Sequence, residues 1–325
     1  MRRAFSILAV ALSLLAAWST AAPREDTPPR VRSLRILILS TMLAADEDGI
    51  GEWGFAALVE ADGQRILFDT GAHPETVLRN ARELRADLSG VREVVLSHNH
   101  DDHTGGLLTL RKELAAANPA ALARVHVGKG IFFSRPAADG REDNPMIALR
   151  PAFEATGGAF LEHDAPGALL PGVWLTGPVP RVHPERNFGP SRRVRGPAGL
   201  VEDTIPEDQS LVFDTDRGLV LLSGCGHAGV INTIDYARKV VRPAPLHAAI
   251  GGFHLFPLAE ERLDWTADHL KEAGLENFIG AHCTGIEAVY RMRARLGLPR
   301  GRAVVGAVGA SFELGKGIDP LALAH

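Results

Sequence analysis

Ser97-His98-Asn99-His100-Asp101-Asp102-His103-Thr104-Gly105-Gly106 is the stretch whose reading decides the fold. Three histidines and two aspartates fall within residues 98–103, too many polar groups for a strand end that only packs. The apolar run Val91–Leu96 leads in and predicts a strand. Gly105 and Gly106 then release the chain into a helical pattern over 107–117. The cluster is therefore expected on a loop at the C-terminal end of a strand, where α/β sheets place their chemistry. His98 and His100 are two apart, so both imidazoles can turn toward one cation, while Asp102 and His103 address a second position. Neutral imidazole with carboxylate suits zinc, and also iron or manganese. The plain alternative is a run of surface histidines, or a cap for the helix that follows.

Outward from this loop, strands and helices alternate. Leu34–Ser40 is a buried strand by its apolar, β-branched character. Phe55–Glu60 and Gln64–Asp69 flank Asp62-Gly63, a hairpin signal. An amphipathic helix follows over 74–85 with Pro74 at its start. A short strand is expected over 124–128, a strand and exit turn over 173–178, and a second hairpin over 209–214 and 217–223. Helices over 231–241, 260–273 and 286–296 alternate with strands over 246–251, 278–281 and 302–308. His227, His254 and His282 each follow the end of one of these strands. The segment 134–206 is rich in proline and glycine and carries Arg181, Arg186, Arg192, Arg193 and Arg195. That string is either a solvated loop or a cationic lid for a phosphate or carboxylate.

His98-Asn99-His100-Asp101-Asp102-His103 resembles the H-x-H-x-D-H motif of the metallo-β-lactamase-fold metal hydrolases, and the resemblance runs over roughly 34–314. It implies an α/β, four-layer αββα sandwich in one domain, 34–325, and a centre of two divalent metal ions, zinc with iron or manganese as alternatives. Carried over to this chain, His98 and His100 would hold one ion, with His227 taken as their third ligand, and Asp102, His103 and His282 the other. Asp69 would support the histidine loop from behind. Asp102 is also expected to be catalytic, and His254 is either a further ligand or a proton donor facing the substrate.

Two departures from the family pattern matter. The upstream ligand histidine is missing from Gly177–Arg181, and Cys225 stands where a bridging aspartate usually ends the strand. His227 is expected to replace the missing histidine; its plain alternative is a cap for the helix starting near Val230. Cys225 is expected as a further ligand or site-lining group, and Arg181 as a substrate contact. Cys225 and Cys283 are the only cysteines, and a disulfide competes with thiol or ligand roles. The strings GCGHAG, GGFHL and HCTG, with TGPVPR upstream, are similar to the branch of 7,8-dihydropterin-6-methyl-4-(β-D-ribofuranosyl)aminobenzene 5′-phosphate synthase-like proteins.

The chain opens with Arg2 and Arg3, an apolar stretch 5–18 and the small residues Thr20-Ala21-Ala22. That predicts a signal peptide over 1–22 and a periplasmic or secreted protein, with an uncleaved anchor as the alternative. The paired arginines weakly suggest twin-arginine export. Residues 23–33 are expected to be a flexible linker. Removing 1–22 takes two positive charges from a net charge of −4, leaving −4 − 2 = −6. Mild acidity excludes a nucleic-acid surface as the main role and leaves a small-molecule substrate, anionic if the arginine string meets it. Three functions remain: an exported metal-dependent hydrolase of esters, phosphoesters or related anions using a water activated by the ions; a synthase-like transferase; and a non-catalytic metal or ligand binder.

Overall fold

Period-two alternation of apolar side chains builds both sheets. In Leu34–Ser40, Ile36 and Ile38 point into the core between the sheets while Leu37 and Leu39 point outward under helices. In Gly218–Ser223, Val220 and Leu222 face inward and Leu219 and Leu221 outward. Sheets covered on both faces explain why these strands are nearly unbroken apolar runs in sequence. The computed structural model describes residues 29–44, 49–189 and 192–323; the expected signal peptide, and the linker up to residue 28, lie outside them. Among the described residues no helix is long and apolar enough to cross a membrane.

The first sheet has eight strands, in the order Gly317–Asp319, Ser311–Glu313, Leu34–Ser40, Ala56–Ala61, Gln64–Phe68, Glu93–Val95, Arg124–Gly128, Ala159–His163. The second has seven, in the order Ala303–Val305, Asn277–Gly280, Leu246–Gly251, Gly218–Ser223, Leu211–Thr215, Val173–Leu175, Gly167–Leu170. Helices Thr76–Glu83, Leu107–Ala115 and Pro145–Glu154 cover the first sheet through Val77, Leu110 and Phe153. Helices Val230–Val240, Glu260–Glu272 and Ile286–Leu296 cover the second through Ile234, Leu270 and Met292. These are the four αββα layers.

Each sheet is antiparallel on one side and parallel on the other, and the parallel side positions the site. Phe68 is in register with Val95, and Ser223 with Gly251 and Gly280. These five parallel strands end level with one another along one edge. Asp69, the histidine loop, Cys225 with His227, His254 and His282 each follow one of those ends.

Three parts of the chain differ from the sequence expectation. The linker ends sooner: Val31 is 1% exposed, and its N–H donates to the Asp214 carbonyl at 2.8 Å. Pro145–Glu154 is a helix despite Pro151 within it, because Asn144 caps it by accepting from Met146 N at 3.0 Å and Pro145 suits its first turn. The arginine-rich segment contains a small hairpin, Arg193–Gly196 with Gly199–Glu202. Buried Arg135 ties it down through Asp203 at 2.7 Å and Glu207 at 2.7 and 2.8 Å.

Candidate metal centre

Ser97 and Asp69 set the histidine loop. Asp69 is fully buried, accepts from Ser97 N at 2.7 Å and Ser97 Oγ at 2.8 Å, and accepts from His103 Nδ1 at 2.7 Å. Since Ser97 Oγ gives its proton to Asp69, it accepts from His98 Nδ1 at 2.9 Å. Those bonds place a ring proton on Nδ1 of each, leave Nε2 of His98 a bare lone pair, and aim Nε2 of His103 at the site, where a bound cation would displace its proton. Gly105 is required for packing rather than only for release into the helix. A Cβ there would stand 1.9 Å from the Ala72 carbonyl oxygen.

The same logic fixes His227, which lies in the turn between strand Gly218–Ser223 and its helix. Its Nδ1 donates to the Asn187 carbonyl, so its Nε2 is also a lone pair. That Nε2 faces His98 Nε2 at 3.2 Å, and His98 Nε2 lies 2.9 Å from His100 Nδ1. The His98 and His227 lone pairs, this close, repel unless a cation lies between them, and ligand nitrogens on a tetrahedral zinc are about 3.3 Å apart. The helix-cap alternative for His227 fails. Glu185 takes that task, accepting from Ile231 N at 3.2 Å and Asn232 N at 2.9 Å.

A second set adjoins the first. Asp102 Oδ2 is 3.3 Å from His282 Nε2, and Asp102 Oδ1 is 3.8 Å from His103 Nε2. His282 is 1% exposed, and neither of its ring nitrogens has a hydrogen-bond partner. His282 Nε2, buried and facing the Asp102 carboxylate, is placed to take a cation. Cys225 Sγ lies 3.2 Å from His103 Nε2. Within each of the sets His98–His100–His227 and Asp102–His103–His282, the ligand atoms fall within 4.8 Å of one another. The donor chemistry of both sets thus fits two divalent ions. Asp69, His254 and His282 hold the left-handed backbone at φ of 55, 47 and 45°, strain that tertiary packing must sustain.

Electrostatics follow from burial. Burial, reinforced by neighbouring imidazoles, holds His98 and His227 well below the ordinary histidine value; burial outweighs Asp102 to bring His100 to about 3. Burial opposes the charge on Asp102, yet His103 and His282 overcome it and keep the carboxyl below its usual range. Burial also opposes the charge on His103, but Asp102 and Asp69 push it up to about 9.

These shifts make the metal-stripped protein acid-sensitive. Below about 6.5 the unfolded chain protonates three histidines that the folded chain keeps neutral. Stability is therefore full above that value and is lost as pH falls below it, by up to about 1.4 kcal/mol per unit for each group. His103 acts oppositely: its contribution is full below 6.5 and lost as pH rises through 9. Melting temperature of stripped protein should accordingly peak near neutrality; a steady rise down to pH 5 would contradict the assignment.

A cavity of about 410 Å³ opens over the centre, lined by Trp53, Asn99, His100, Asp102, Asp143 and Arg192. Trp53 also packs on His282, ring centroids 4.9 Å apart. Arg181 departs from its expected role. Its guanidinium donates to the carbonyls of His227 at 2.7 Å and of Thr204, so it braces the His227 turn rather than meeting a substrate. His183 pairs with Asp235 at 2.8 Å and joins neither ligand set. His254 lies beside His227, ring centroids 4.8 Å apart. Cys225 and Cys283 are free thiols, not a disulfide. The sequence reading passed over Ser97, Glu185, Asn187 and also Glu52, which holds Ser40 Oγ at 2.6 Å and the N–H groups of Ala72 and His73 at 3.0 Å. Only Ser97, adjacent to His98, carried a local signal.

A family model described as the metallo-beta-lactamase superfamily matches residues 54–238. The chain is 31% identical over 247 residues to a 7,8-dihydropterin-6-methyl-4-(beta-D-ribofuranosyl)-aminobenzene-5'-phosphate synthase of Methanocaldococcus jannaschii, covering 72% of this chain and 81% of that one. Among solved structures it is similar to a metal-dependent hydrolase of the beta-lactamase superfamily, with TM-score 0.68 and 25% identity over 86% of this chain and 98% of the other. It shares the fold of Zn(2+)-bound PqqB from Methylobacterium extorquens, with TM-score 0.51 and 14% identity over 85% and 99% of the two chains.

Proposed function

The chain belongs to the metallo-β-lactamase superfamily, and from that premise we propose that it is a metal-dependent hydrolase of a small anionic ester or phosphoester. The carrying observation is the pair of bare Nε2 lone pairs on His98 and His227, 3.2 Å apart. His98, His100 and His227 would hold one divalent ion and Asp102, His103 and His282 the other, zinc being the metal that best suits these donors. Bound there, the ions supply an acidified water and a Lewis acid for the substrate oxygen. The protein's own part is positional. Asp69 and Ser97 keep His98 and His103 in the ligating tautomer. Asp102, held ionised by its imidazole neighbours, serves as ligand rather than proton donor.

Arg192 and Trp53 on the cavity wall support an anionic substrate with an apolar portion. Exposed Arg192, rather than Arg181, is the cation of the arginine string at the cavity. With phosphoesters, carboxylate-bearing esters and lactones as the panel, the metal-loaded protein should turn over at least one class, and a chelator should stop it. On that substrate Arg192→Ala should raise KM about tenfold with kcat nearly unchanged, as expected for lost uniform binding. No turnover on any member would defeat the hydrolase reading.

The synthase-like transferase reading is favoured by the 31% identical relative. Turnover of a pterin with an aryl ribose phosphate, but of no ester, would select it. Export is proposed from residues 1–22 alone; recovery of the processed chain outside the cytoplasm tests it.

A further inference from the structure

Neither ligand set uses the cluster formed by Cys225, His254 and Cys283. Both thiols are buried and free, and their sulfurs are 3.1 Å apart. They come from different strand ends, and the backbone N–H of His254 donates to Cys283 Sγ at 3.3 Å, fixing the second sulfur. One ligand atom from each of the three residues lies within 4.8 Å of the other two. His254 Nδ1 is buried without a hydrogen-bond partner, on a residue held at φ of 47°. The neighbouring backbone is shaped around the sulfur. A Cβ on Gly252 would stand 3.0 Å from Cys283 Sγ and 1.9 Å from the Gly224 carbonyl oxygen.

We propose that Cys225, His254 and Cys283 form a third cation position, a site of two thiolates and one imidazole for a soft ion such as zinc or copper(I). Sulfur and imidazole donors favour these ions over magnesium, calcium or manganese. The position adjoins the Asp102–His103–His282 set, since Cys225 Sγ is 3.2 Å from His103 Nε2 and can bridge. Binding releases the two thiol protons to solvent, giving two thiolates on one cation with no change of oxidation state. On a tetrahedral zinc the sulfurs open from 3.1 Å to about 3.8 Å. His254 is then a ligand, one of the two roles its strand-end position allows.

Titration of the metal-stripped, fully reduced chain with cobalt(II) tests this. Three equivalents should bind, with intense thiolate-to-cobalt charge-transfer absorption from two sulfurs. Cys283→Ser and His254→Ala should each lose one equivalent, and Cys283→Ser about half of that absorption, while two equivalents with their ligand-field bands stay bound. Those two retained equivalents separate a failure here from a failure of the hydrolase centre. Should the variants fold poorly, the reduced wild-type chain loaded with cadmium-113 decides, because an ion held by two thiolates resonates well downfield of ions held by nitrogen and oxygen alone. Two equivalents only, absorption indifferent to Cys283→Ser, or no such downfield cadmium resonance would each overturn the proposal.

Discussion

Asp102→Ala is expected to lose one metal ion per chain and about 10³-fold or more in turnover, a barrier increase of roughly 4 kcal/mol. Asp102 is the only carboxylate in either ligand set, within 3.3 Å of His282 Nε2 and 3.8 Å of His103 Nε2. Without it, two neutral imidazoles and at most a thiol face a doubly charged ion. The fold should survive, because the contact Asp102 makes with the rest of the sheet is through its backbone. Its carbonyl accepts from Phe55 N at 3.1 Å, a bond alanine keeps. Elemental analysis alongside circular dichroism checks both halves. A folded variant with its full metal complement and full activity would show that Asp102 is not a ligand.

Asp69→Asn is expected to weaken metal affinity about 10- to 100-fold while touching no ion itself. The amide can still accept from Ser97 N. Its NH₂, however, would replace the oxygen that now receives Ser97 Oγ–H and His103 Nδ1–H. His103 must then carry its proton on Nε2, the nitrogen that faces Asp102 and Cys225. Asp69→Ala should in addition cost about 3 kcal/mol or more of stability, since it strands the Ser97 N–H and His103 Nδ1–H in a fully buried place. Denaturant midpoints and a competitive metal titration separate the two effects. Equal metal affinity in Asp69→Asn and the wild type would remove Asp69 from the account.

What could be read in the sequence was local. His98, His100, Asp102 and His103 declare themselves by spacing within one loop, and Cys225, His227, His254 and His282 by standing just past apolar strand runs. The strands announced themselves because both their faces are buried. The groups that orient the ligands were not readable in this way. Glu185 and Asn187 act on a helix terminus and a histidine some 40 residues further along the chain, and nothing near them in sequence says so. Arg181 looked like a substrate contact because charge is visible in a sequence and direction is not; its guanidinium points inward to carbonyls. Helix Pro145–Glu154 was masked by Pro151, and the strands Ala159–His163 and Gly167–Leu170 by their partial exposure at sheet edges.

Histidine and carboxylate side chains from several strand ends are proposed to share the grip on two ions. Anomalous diffraction from crystals of the metal-loaded protein, recorded at the absorption edge of the metal it carries, tests it most directly. One peak is expected within bonding distance of His98, His100 and His227, and another within bonding distance of Asp102, His103 and His282. Loaded protein with no peak at either position, or with its metal bound only elsewhere, would contradict it.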